Sequence, residues 1–252
     1  MPPSAVSYDQ QFLEGLVLDL AAIDEGISTE LGLQILVAMC CASKRADLVP
    51  SLFQNALEKA DRSKDSILEL FDSFRETINM IWPFVCVPQV IPAALGLAGY
   101  LQSKGITTLD QNKNRNRPDF TQEDTELGKA TRRSIYKASA NNEVFEMLST
   151  FYGDFAYALN TVGFGYNLGC TNDYKLPLPA AELIVTSALI ALPATRQAGS
   201  HVKACIAFGY SDADITRVAK MAEKLAAWQG YNLTPINVML LAQQARSNLK
   251  VA

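Results

Sequence analysis

The chain has 252 residues, 49% of them hydrophobic, enough to fill one sizeable core or two smaller ones. A formal charge of -4 and an isoelectric point near 5.1 leave no basic surplus to neutralise phosphates, which removes nucleic acid from the expected partners. The five cysteines are odd in number and lack framework spacing, so reduced thiols in an intracellular, cytoplasmic protein are expected.

The opening MPPSAVSYDQQF has no cationic segment followed by an apolar run, and the final KVA is not a peroxisomal tripeptide. Peroxisome or mitochondrion stays open for a trimmed chain. Apolar residues then recur at helical spacing, with Phe12, Leu16, Leu18, Leu20 and Ile23 between Tyr8 and Asp24, and Leu33, Leu36, Val37 and Cys40 between Thr29 and Ser43. Ser28 or Thr29, followed by Glu30, marks the start of this second helix. Further helices are predicted over Leu48–Asp61 and Lys64–Ile81. Ile81 to Leu101 is uncharged for 21 residues, the length of a membrane span, but Pro83, Pro88, Pro92, Gly96 and Gly99 interrupt it. A buried helix, turn and helix is predicted instead, the second helix running Pro92–Lys104, and no membrane partner is expected.

From Gly105 to Thr121 the chain turns polar, and residues 106–121 read as a linker between segments 1–105 and 122–252. Helices follow over Gln122–Ala138 and Glu143–Leu159. In FYGDFAYALNTVGFGY the three glycines and an Asn are expected to break any long helix. Four more helices are predicted at Pro179–Leu192, Thr195–Phe208, Asp212–Trp228 and Thr234–Leu249; Gly209 closes the second of them and Ser211 caps the third. Strand signals are almost absent, so the fold class is all-α.

Glu182 is the one charged residue between Lys175 and Arg196. On a helix apolar all round, its carboxyl is either buried, with its pKa raised, or wet at the helix N-terminus; both readings stand. His201 is the only histidine, and Gln197, His201 and Cys205 follow one another at intervals of four along one face, with Arg196 and Ser200 adjacent. A histidine so placed is either a proton-transfer group or a satisfied core or surface residue. The two halves also echo each other: setting TELGLQILVAMCCASKRADLV against AELIVTSALIALPATRQAGSHV puts Glu30 with Glu182, Arg45 with Gln197 and Val49 with His201.

The stretch ELIVTSALIALPATRQAGSHVKACIAFGYSDADITRVAKMAEKLAAW, from Glu182 to Trp228, has an acid opening an apolar helix, a turn, a helix containing HV, a Gly-Tyr-Ser break and an acidic helix start. It resembles the carboxymuconolactone decarboxylase and alkylhydroperoxidase-D-like superfamily, and FYGDFAYALNTVGFGY is similar to the aromatic segment of its decarboxylase branch. The N-terminal half resembles a degenerate copy, VCVPQVIPA included. The resemblance implies two pseudo-repeats in one chain, with the site in the C-terminal one, and an assembly into a homo-oligomer, a dimer or trimer. In the thiol-peroxidase branch the pattern is a Glu, a Cys-x-x-Cys pair and a His. Laid on this sequence it falls on Glu182, Ala194, Gln197 and His201, so both thiols are missing and a disulfide cycle is not expected.

An acid and an imidazole without a nucleophile can still move protons. The resemblance therefore implies a cofactor-independent lyase acting on a small carboxylated or lactone-containing ring. His201 is its acid or base, Glu182 the partner of His201, Arg196 the holder of a substrate carboxylate and Gln197 the group polarising a carbonyl. Tyr152, Tyr157, Phe164, Tyr166 and Trp228 are expected to shape the pocket, each with core packing as its alternative. No cofactor is expected, and one histidine without a Cys-x-x-Cys speaks against zinc. The rival expectation is a non-catalytic small-molecule-binding or assembly protein; a thiol peroxidase using Cys205 ranks third.

Overall fold

The computed structural model describes residues 6–21, 26–59, 63–109, 119–140, 142–171 and 176–251. They form an all-α fold without a strand: α1 (Gln10–Ala21), α2 (Thr29–Ala42), a 3-10 turn (Ala46–Leu48), α3 (Val49–Glu58), α4 (Lys64–Val85), α5 (Val87–Ser103), α6 (Gln122–Tyr136), α7 (Asn142–Phe151), α8 (Gly153–Ala158), a wide helix (Leu159–Gly169), α9 (Leu178–Ala191), α10 (Thr195–Ala207), α11 (Asp212–Trp228) and α12 (Val238–Val251). Residues 110–118 of the expected linker lie outside the described residues.

Two helices make the centre. In α9 every residue from Ala181 to Ala191 is buried, and in α2 Gly32 and the run from Gln34 to Ala42 are buried. The two helices pack on each other and both pack on α4; α10 lies on α9 and in turn meets α6 and α12. One continuous hydrophobic cluster results, drawing on residues from Leu13 to Ala245. Burying a Leu, Ile or Val fully is worth about 1.5–3 kcal/mol, so Leu183, Ile184, Val185, Leu189 and Ile190 make α9 a dominant contributor.

Side chains that satisfy free amides mark the helix starts. Ser28 Oγ accepts from the Leu31 amide at α2, and Ser63 Oγ from the Ser66 amide at α4. Thr121 with Asp124 and Ser211 with Asp214 form capping boxes at α6 and α11. Gly209, at φ 102, takes the left-handed conformation that ends α10. At α12 the helix begins at Val238 rather than at Thr234, because Asn237 Oδ1 accepts from the Leu240 amide and caps it there.

The uncharged stretch from Ile81 folds as the end of α4, a break at Cys86 and α5. Cys86 has φ 84 and ψ 141, a conformation costly to a residue with a Cβ. The second helix starts at Val87, before Pro92, since Pro88 falls in the first turn where its missing amide has no partner to lose. Among the described residues no helix is long and apolar enough to cross a membrane.

A correction concerns the glycine-rich stretch. Glu143–Leu159 is divided at Tyr152 into α7 and α8, and α8 then runs on without a break into the wide helix Leu159–Gly169. Gly165 there serves contact between helices rather than interruption, whereas Gly153, with nothing close to it, follows the break at Tyr152. A Cβ on Gly165 would lie 2.1 Å from the Asp124 carbonyl oxygen, and one on Gly128 of α6 only 1.8 Å from that of Asn160. The backbones of α6 and the wide helix thus touch, with Thr125 and Thr161 sharing a buried hydroxyl hydrogen bond of 2.8 Å beside them.

Candidate functional site

Glu182 is fully buried, which decides between its two sequence readings: the carboxyl is not wet at the helix start. The covering elements bring it one partner, His201 of α10, itself 1% exposed. Glu182 Oε1 and His201 Nδ1 are 2.6 Å apart. The other carboxyl oxygen, Oε2, finds no hydrogen-bond partner among the described residues. Burial therefore pushes the Glu182 carboxyl above the ordinary 4.5, with the imidazole pulling only partly the other way.

The second imidazole nitrogen reaches Tyr136, whose hydroxyl lies 2.9 Å from His201 Nε2. Tyr136 ends α6, and the turn after it is tied down. Ser139 Oγ donates to the Ser200 carbonyl next to His201, and Asn248 Nδ2 donates to the Ala138 carbonyl. Burial, and the carboxyl of Glu182 nearby, push the Tyr136 phenol upward, with Arg132 opposing them. Tyr136 is the part-exposed end of a line that begins at a sealed carboxyl.

Aromatic rings from three elements enclose this line. Phe84 of α4 packs edge-on to His201 at 5.8 Å and to Phe164 of the wide helix at 6.1 Å. Phe145 of α7 lies 4.9 Å from Tyr136 and 6.2 Å from Phe164. Such walls exclude water and make a fixed charge expensive, so the three polar groups favour states in which a proton is shared.

Two protonation states keep both hydrogen bonds of the line. In the first, protonated Glu182 donates to Nδ1 and Nε2–H donates to the Tyr136 oxygen, leaving the phenolic proton free to point at a ligand. In the second, Nδ1–H donates to the carboxylate and Tyr136 donates to Nε2. Passing one proton outward converts the first state into the second without breaking the line.

The other sequence candidates lie elsewhere. Arg196 and Gln197 are exposed at the start of α10, with no hydrogen bond to His201. Tyr152 and Tyr157 are 60% and 56% exposed. Tyr166 packs edge-on to Phe120. Trp228 stacks on Phe12 and under the guanidinium of Arg45, in a separate cluster. Cys205 is buried, its thiol 3.2 Å from Thr186 Oγ1, and burial raises its pKa well above the ordinary value, so it stays a neutral thiol.

No protein-family model and no curated protein matches this chain. Among the described residues no group of three or more His, Cys, Asp and Glu is placed to hold a metal ion. The centre of the site includes residues that the sequence pattern did not single out: Tyr136, Phe84, Phe145 and Arg132. One signal for Tyr136 existed, since QEDTELGKATRRSIY is polar almost throughout and closes on Ile135 and Tyr136.

Proposed function

We propose that this chain is a cofactor-independent, proton-transferring lyase of the carboxymuconolactone decarboxylase and alkylhydroperoxidase-D-like kind, acting on a small carboxylated or lactone-containing ring. The observation that carries the reading is the buried line Glu182–His201–Tyr136, with bonds of 2.6 and 2.9 Å. In decarboxylation the C–C bonding pair stays on the substrate carbon as carbon dioxide leaves. Tyr136 gives that carbon its proton, His201 Nε2–H restores the phenol, and Glu182 restores the imidazole through Nδ1. The site recovers its proton from solvent between turnovers. Preorganised proton donation of this kind contributes about 10²–10⁴-fold to a rate. In ring opening of a lactone, water supplies the hydroxyl that bonds to the acyl carbon as the acyl–oxygen bond breaks, the same line protonates the leaving oxygen, and the water's remaining proton returns to solvent.

The test is release of carbon dioxide from β-keto acids, and ring opening of carboxylated lactones, by the wild type, H201Q and Y136F. A rate falling at least about a hundredfold in both variants is expected; turnover indifferent to His201 refutes the reading. A homo-oligomer, dimer or trimer, belongs to the same resemblance, and light scattering reads it directly.

The completeness of the burial favours a second reading, a non-catalytic binding or assembly protein in which the three groups only satisfy one another. H201Q would then lower the melting temperature with no turnover to lose. A thiol peroxidase has the least support, because Cys205 is sealed and neutral.

A further inference from the structure

Arg132 stands one helical turn before Tyr136 on α6, so the two side chains share a face. Its guanidinium carbon lies 4.2 Å from the centroid of Phe145, the ring that also packs on Tyr136. The Nε–H is sealed from solvent and finds no acceptor, and no carboxylate among the described residues pairs with the guanidinium. Two other arginines are answered by carboxylates: Arg45 grips Asp47 through Nε and Nη2, and Arg246 grips Asp212. Burial, and then the adjacent Arg133, pull the Arg132 pKa below its ordinary value, as befits a cation held without its anion.

We propose that Arg132 is the anion clamp of this site, holding the carboxylate of a small flat unsaturated or aromatic acid end-on through Nη1 and Nη2, the two nitrogens that are not sealed, beside Phe145 and within reach of Tyr136. The ligand class follows from the surroundings. A planar guanidinium matches a carboxylate with two parallel bonds. Aromatic walls accept a flat apolar body, while a dianionic phosphate would call for a second cation facing the same point, and Arg133 is exposed on its own side of α6. The clamp assigns to Arg132 the task that the sequence pattern placed on Arg196. The part given to Tyr136, that of meeting the reacting atom, rests on the proton-relay reading above.

Benzoate is the probe and benzamide its neutral counterpart. Each is titrated into the full chain while the imidazole C–H signals of His201, the only histidine, are followed by NMR in the wild type, R132K and R132Q, with circular dichroism verifying the fold. Expected is a saturable shift with benzoate and none with benzamide, an affinity at least tenfold weaker in R132Q, and partial retention in R132K. Absence of a saturable benzoate shift in the wild type, an equal response to benzamide, or unchanged affinity in R132Q overturns the clamp. Arg132-dependent binding without His201-dependent turnover keeps the clamp and removes the relay. Conversely, His201-dependent turnover that R132Q leaves untouched removes the clamp and keeps the relay.

Discussion

Replacing Glu182 by glutamine keeps the shape of a fully buried side chain and deletes its titration. Near pH 5, with the carboxyl protonated, the 2.6 Å contact with His201 joins two neutral groups and is worth about 0.5–1.5 kcal/mol, as is an amide donating in its place. The two proteins should therefore agree within about 1 kcal/mol there. The difference then changes with pH in a defined direction. Because burial raises the Glu182 pKa above 4.5, a folded Glu182 keeps a proton that an unfolded one has lost above that pH. Wild-type stability accordingly falls as pH rises through the folded pKa, by at most about 1.4 kcal/mol per pH unit, and E182Q lacks this loss. Urea unfolding of both proteins from pH 5 to pH 9 should show E182Q gaining on the wild type as pH rises. A difference constant over that range, or one moving in favour of the wild type, would mean that the carboxyl is ionised throughout, and the outward proton relay would have no starting state.

Gly165→Ala should lower stability by about 1–3 kcal/mol or more, since its Cβ would meet the Asp124 carbonyl oxygen at 2.1 Å and α6 would have to move away, taking Tyr136 with it. Gly99→Ala on α5, where nothing lies within 4 Å, is the matched control and should gain about 0.5–1 kcal/mol; similar melting temperatures for the two variants would contradict the close-contact account. Native labelling with a disulfide reagent at neutral pH should modify exposed Cys86 and spare buried Cys40, Cys41 and Cys205. Rapid modification of Cys205 would reopen thiol chemistry at the site.

Helical periodicity, caps and terminating glycines act over a few residues, so the all-α class, the span of α11, the cap at Ser211 and, to within Ser28 or Thr29, the start of α2 were legible in the sequence alone. Glu182 and His201 were also legible, because a single carboxyl on an apolar helix and a single histidine on the helix after it are conspicuous and only 19 residues apart. Their hydrogen bond, and the full burial that raises the carboxyl's pKa, required the packing of α10 on α9. Tyr136 joins from 65 residues away, and Phe84, Phe145 and Phe164 from three further elements, through contacts that no local pattern encodes. Gly165 shows the limit most plainly: a glycine that interrupts a helix and one that lets another backbone approach are the same residue, and only the Asp124 carbonyl facing it tells them apart.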